Sequence, residues 1–171
     1  MKLNLQFFAL SRTNMVSLLD IGSLMGGKTP KIVEMGDGFS EITEDWGPNT
    51  EQKQYVNMDS SSNSVKGYAF STSPERDHLS DEMQTAINDM FKKFPTGDGC
   101  QTYYYIYYKT DITGTTGDCI RVPVTVCPSS TGGSGGDSLK SSIQINGNGD
   151  VEPGTITISP EGFTWAPKET V

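Results

Sequence analysis

The sequence predicts a mainly β protein with one α-helix: a β-sandwich or barrel with the helix, residues 80–94, packed on its flank. Three observations lead there. Only residues 80–94 (SDEMQTAINDMFKKF) repeat apolar side chains at steps of three and four, whereas the other patterned stretches read as strands. Turn formers are abundant, with Gly at 19 positions against a hydrophobic fraction of 34%, which suits many turns and a lean interior. The length of 171 residues corresponds to about one domain, 1–171, able to bury a core without metal or disulfide help.

In chain order, residues 1–30 read as an N-terminal arm in which Met15 to Ile21 (MVSLLDI) fits a short strand or a helical turn. The opening MKLNLQFFAL has one Lys, an apolar stretch broken by Asn4 and Gln6, and no A-x-A site before Ser11 and Arg12. It is therefore not expected to act as a secretory leader, and no apolar run approaches bilayer-spanning length. KIVEM (31–35) reads as a strand closed by Gly36-Asp37-Gly38, followed by a stretch marked by Phe39, Ile42 and Trp46. Residues 47–64 are polar, with Tyr55, Val56 and Met58 as apolar anchors, and are expected to form a long inter-strand loop. Val65 to Phe70 resumes as strand.

In the helix, Leu79, Met83, Ala86, Ile87, Met90, Phe91 and Phe94 form one stripe. Ser80 or Asp81 can cap its start, Lys92 and Lys93 suit its end, and Pro95 and Gly97 stop it. Tyr103 to Lys109 (YYYIYYK) puts Tyr103, Tyr105 and Tyr107 on one strand face and Tyr104, Ile106 and Tyr108 on the other. Tyrosine suits a half-buried sheet, and a stacking platform for sugars or bases is the less ordinary use of such a strand. Residues 119–127 (CIRVPVTVC) point Ile120, Val122, Val124 and Val126 inward, and Pro123 predicts an edge strand or a bulge. Residues 129–137 (SSTGGSGGD) read as a Gly-rich internal loop. SSIQIN and TITIS, joined by GNGDVEPG, predict a hairpin, and Pro160-Glu161-Gly162 turns the chain into a last strand at Phe163–Trp165.

The balance of 13 Lys and Arg against 21 Asp and Glu gives a net charge of −8, which argues against nucleic-acid binding, since that affinity comes from cations displacing counterions. Cys119 and Cys127 would lie about 26 Å apart on one continuous strand, too far to bridge. An odd count of three cysteines without a CxxC pair favours reduced thiols and synthesis inside the cell. GSLMGGKT (22–29) matches the phosphate-loop pattern, but Pro30 after Thr29 and the strand-like KIVEM leave no room for the helix that the chemistry needs. The lone histidine, His78, stands beside Asp77 with no orienting arrangement. Glu41, Glu44, Asp45 and Glu51 read as a solvated group rather than a paired acid and base. NGNGD lacks the alternating ligands and terminal Glu of a calcium loop. No catalytic, cofactor-binding or metal-binding residues are expected, and the chain is not expected to be an enzyme.

Three segments in this order, TEDWGPNTEQKQYVNMDSSSNSVKGYAFS, the helix ending FKKFPTGD, and GGSGGDSLKSSIQINGNGDVEPGTITI, resemble the major tail (tail tube) proteins of long-tailed, non-contractile phages and prophages of Gram-positive bacteria. The opening MKLNLQFFA resembles the starts of structural proteins from such phages, and INGNGDVEPGTITI (145–158) is the most specific part. The GGSGG loop departs from the usual, less linker-like turn. The resemblance implies a tail-tube β-sandwich or barrel with one flanking helix, whose sheet borders meet copies of itself. It implies hexameric rings stacked into a tube in the virion tail, synthesised in the bacterial host cytoplasm. Implied partners are the chain itself, a tape measure protein, and tail terminator and distal tail proteins. DNA would transit an acidic lumen without specific binding, and no membrane is involved. Candidate contacts between subunits or rings are Phe7, Phe8, Trp46, Tyr55, Val56, Met58 and Asp59. A virion decoration or carbohydrate-binding β-module is the alternative, and contractile tails share the fold.

Overall fold

The structure is a computed structural model that describes residues 9–168. In chain order its elements are β1 (Met15–Asp20), β2 (Ile32–Glu34), β3 (Pro48–Lys53), β4 (Ser62–Tyr68), β5 (Ser71–Thr72) and β6 (Glu75–Asp77). The helix α1 (Glu82–Lys93) follows, then β7 (Gln101–Thr113), β8 (Thr116–Gly132), β9 (Lys140–Gly147), β10 (Glu152–Ser159) and β11 (Gly162–Pro167).

The 17-residue β8 organises the sheet. One side pairs with β7; the other takes two antiparallel partners in succession, β10 along residues 116–121 and β9 from Val124 onward. Six strands in the order β8-β10-β11-β2-β1-β7 therefore close into a barrel, while β9 runs beyond it and is bordered by β5 and β6. The seam between β11 and β2 is a single residue pair, Phe163 with Ile32. All pairings are antiparallel, so closure needs no crossover helix.

Two cores result. Val16, Leu18, Tyr105, Tyr107, Cys119 and Ile156 fill the barrel. On its outer side, Leu19, Tyr104, Ile106, Val122, Val124 and Ile145 form one buried cluster with Met83, Ile87 and Met90 of α1. Successive residues of β1 and β7 alternate between these cores, which is why both strands carry large apolar side chains on both faces. The two tyrosine faces read from YYYIYYK are these two cores.

The helix starts at an Asp81 cap, whose carboxylate accepts from the Gln84 amide at 2.8 Å, and ends at Phe94 in a left-handed conformation. Leu79 and Phe94 fall outside it and stand exposed, because the stripe is used only where the helix faces the sheet. The expected arm, residues 1–30, contains a core strand: β1 lies between β2 and β7 with five of its residues buried. Burial on both faces hides the alternation that would have marked it. Residues 47–64 are largely hairpin rather than loop, β3 against β4 with an irregular register at Asn49/Thr50. No third strand among the described residues covers this pair, so neither face needed to be apolar.

The hairpin expected between β9 and β10 does not form. Both strands run antiparallel to β8, end to end, with residues 148–151 bulging where β8 passes from Val124↔Gly147 to Arg121↔Glu152. Pro123 sits at that handover, in the middle of the sheet rather than at an edge, and its missing N–H falls where β8 changes partners. Its carbonyl still accepts from the Asn148 amide at 2.8 Å. β8 pairs with β9 as far as Gly132↔Lys140, so the Gly-rich loop shrinks to residues 133–139. The sheet is a closed barrel with an extended wing, and the borders expected to be free are mostly sealed within the chain. Free borders among the described residues include both edges of the β3–β4 hairpin, β11 beyond Phe163 on its β2 side, β7 beyond Tyr108 on its β1 side and β8 beyond Thr125 on its β7 side.

Candidate functional site

The sequence features that suggest chemistry are absorbed into internal structure. In GSLMGGKT, the buried Asp20 carboxylate accepts from the amides of Gly22 at 2.9 Å, Ser23 at 3.3 Å and Lys31 at 2.7 Å. The loop closes on this side chain through a 3-10 turn at Leu24–Gly26, and it runs into β2 rather than into the helix whose N-terminus would face a phosphate. Glu44 is buried and accepts from Ser17 Oγ at 2.6 Å and Tyr104 OH at 3.0 Å, with Arg12 at 3.5 Å. Burial, reinforced by the Glu44 charge, pushes the Tyr104 phenol well above its ordinary range. Glu44 thus latches the segment before β3 onto β1 and β7. Asp45 turns to the Gly47 amide and Glu41 to Thr43, so these acids do not converge.

His78 Nε2 contacts Ser141 Oγ, a pairing that superficially matches a base and a nucleophile. Ser141 is only 2% exposed, and the Asp77 carboxylate accepts from Ser138 instead of orienting the imidazole. A substrate has no route to that hydroxyl. No group of three or more His, Cys, Asp or Glu among the described residues is placed to hold a metal ion. The tyrosines of β7 are not a stacking platform: Tyr104, Tyr105 and Tyr107 are buried, and only Tyr108 is substantially exposed. Burial, with the Asp20 charge, raises the Tyr105 phenol to about 12. No helix among the described residues is long and apolar enough to cross a membrane.

What stands out is the β3–β4 hairpin and its tip. Tyr55, Val56, Met58 and Asp59 share that tip, which is turned by a Met58 amide to Tyr55 carbonyl bond of 3.0 Å. Val56 is fully exposed, Tyr55 is 62% exposed, and Val65 and Tyr68 on β4 are exposed as well. Glu51 bridges Lys53 at 3.1 Å and Lys66 at 2.7 Å, and these cations hold its carboxyl below the usual range. Trp46 is not part of the tip. Its ring packs on Phe70 at 4.9 Å and anchors the hairpin's base to the outer core. Phe7 and Phe8 lie outside the described residues.

Sequence reasoning missed two cations. Arg76 is 2% exposed and ties α1 to the sheet by pairing with Asp81, which it holds below the usual carboxylate range. Arg121 lies 3.7 Å from the Trp165 ring centroid and 4.3 Å from that of Tyr103, and its Nε donates to Glu152 at 2.9 Å. Neither has a local sequence signature, because its partners come from other strands, loops or turns of the helix.

The barrel is closed around its own core, and among the described residues the β3–β4 hairpin has no further strand beside it. Solved structures share this fold. The chain matches a protein in the tail of an empty gene transfer agent particle, determined with C6 symmetry, at a TM-score of 0.55 and 13% identity, covering 84% of this chain and 97% of that one. It matches a protein of the native gene transfer agent virion at 0.57 and 12%, covering 84% and 97%. The sheath/tube terminator of an extracellular contractile injection system in its extended state matches at 0.54 and 8%, covering 86% and 97%. The fold is thus tail-tube-like. No protein-family profile and no curated protein matches the sequence.

Proposed function

We propose that this chain is a structural subunit of a phage-type tail tube, assembling as stacked six-membered rings around a passage for DNA. The observation that carries the reading is the uncovered β3–β4 hairpin on a tail-tube-like fold. An isolated two-stranded hairpin is marginally stable in water, so its exposed Tyr55, Val56, Val65 and Tyr68 call for cover from another molecule. Trp46 fixes the hairpin's base, Tyr55, Val56, Met58 and Asp59 present its tip, and Phe7 and Phe8 belong to a terminal arm that bridges rings. The sequence resemblance favours a non-contractile tail of a Gram-positive host, with tape measure, terminator and distal tail proteins as partners. Subunits are made in the host cytoplasm and end in the virion.

The net charge of −8 fits a conduit. A basic wall would gain phosphate contacts at every ring and hold the duplex, whereas an acidic one repels it over about 10 Å at 0.1 M salt. The lumen is accordingly acidic, and a tube reconstruction with a basic interior would contradict this.

Negative-stain microscopy and sedimentation of the purified protein test the reading. Concentration-dependent rings or tubes are expected. A chain that stays monomeric at every concentration overturns it, and a monomer that binds glycans would favour the decoration or carbohydrate-binding alternative. Replacing residues 54–61 by Asn-Gly keeps a two-residue turn between Lys53 and Ser62. Tubes of normal length from that variant would remove the hairpin tip from the assembly.

A further inference from the structure

Beside the hairpin's base, between the barrel and the segment entering β3, lies an apolar groove of about 270 Å³ lined by Met15, Trp46, Tyr108, Ile120, Pro153 and Lys168. Its volume is below the roughly 300–1,000 Å³ of small-molecule sites, so it suits one or two side chains. The groove is rimmed by Asp111 and by Asp118, which pairs with Lys168 at 3.2 Å.

We infer that this groove receives the hairpin tip of a second copy of the chain, with Tyr55 and Val56 as the inserted side chains. The inference rests on the tail-tube reading and names the contact through which copies join. The tip and the groove occur on every copy and stay apart within one. Five residue steps separate the base pair Pro48↔Tyr68 from Lys53↔Ser62, which carries the tip ~17 Å from the hairpin's own base at the usual rise. The full exposure of Val56 confirms that its own groove does not hold it.

Charge favours the same pairing. Residues 48–68 contain two acids, Glu51 and Asp59, and two lysines, Lys53 and Lys66, so the hairpin is neutral while the rest of the chain carries the entire −8. Two acidic bodies repel; a neutral, apolar-tipped finger is the part of one that approaches the other without that cost. The contact is heterologous, finger into groove, so copies link head to tail and close into a ring when the rotation allows.

The test places a photo-reactive benzoylphenylalanine at position 56 of the full chain, mixes it with isotope-labelled wild-type chain, and maps adducts by mass spectrometry. Adducts are expected between copies, on peptides containing Tyr108, Ile120 or Pro153. Val56→Asp, at a fully exposed position, should leave the melting temperature unchanged and raise the concentration needed for assembly at least tenfold. Tyr108→Asp should do the same from the groove side. Rings that form with adducts elsewhere, or a Val56→Asp chain that assembles like wild type, overturn the docking and leave the tail-tube reading standing. A chain that neither assembles nor yields adducts between copies overturns both.

Discussion

Arg76→Met probes the tie between α1 and the sheet. The guanidinium is nearly inaccessible; Nη1 donates to Asp81 at 2.9 Å and Gln84 at 3.2 Å, Nε donates to the Asp37 carbonyl at 3.0 Å, and the charge lies 5.3 Å from the Phe39 ring centroid. Breaking a buried pair from one side costs about 3–5 kcal/mol, chiefly for the charge left behind. Asp81 is 38% exposed on its side chain, so water reaches the orphaned carboxylate and the cost of Arg76→Met falls at the low end, about 3 kcal/mol. That corresponds to a melting temperature lower by roughly 6–12 °C for a chain of this size. Asp81→Ala strands the buried guanidinium and also removes the helix cap, worth about 1 kcal/mol, so it should cost about 5 kcal/mol. The double variant should cost clearly less than the sum, because neither orphan remains. Urea unfolding in a Val56→Asp background, below the assembly concentration, measures all three. A cost under about 1 kcal/mol for Arg76→Met, or the reverse order of the two single variants, would refute the reasoning.

Other outcomes follow from the same structure. Because Arg76 lowers the Asp81 pKa in the folded state, the stability that Asp81 adds is fully present above its unfolded value of about 3.9 and is lost as pH falls through the lower folded value. Wild type should therefore lose more stability than Arg76→Met as pH falls below about 4, and parallel acid limbs would contradict this. Burial raises the Cys119 thiol to about 12 and also raises Cys100, while Cys127 is half-buried. Iodoacetamide at pH 8 should modify Cys127 first in the folded chain and all three thiols in urea; early modification of Cys119 would show that the barrel opens. Gly154→Ala would drive a Cβ into the Ala166 carbonyl and the Trp165 indole where β10 meets β11. It should cost about 1–3 kcal/mol and shift the Trp165 fluorescence, and an unchanged melting curve would place that ring elsewhere.

The helix was legible because its signals are local: Asp81 at the cap, acids then lysines along the chain, and a stripe through Met83, Ile87 and Met90. The same holds for the turn at residues 160–162 and for the misfit of Pro30 with a phosphate loop. Tyr55, Val56 and Met58 read as apolar anchors of a polar stretch, whereas Tyr55 and Val56 stand exposed at the tip and anchor nothing within the chain. The hairpin that presents them was not legible, since a strand pair covered on neither face has no need to alternate. β1 was hidden for the opposite reason, with Leu18 packing into the barrel and Leu19 into the outer core.

By itself the sequence determined the balance of the protein: β-rich, one helix, acidic, with its apolar residues gathered in short runs. Those properties depend on residues near one another along the chain, where propensity, capping and periodicity act. Only the tertiary structure decided that β9 and β10 lie end to end along β8, that the barrel closes through Phe163 and Ile32, and that Arg76 is buried against Asp81. Which strand meets which depends on how distant segments share one partner and exclude water together, and the residues of either segment alone do not carry that choice.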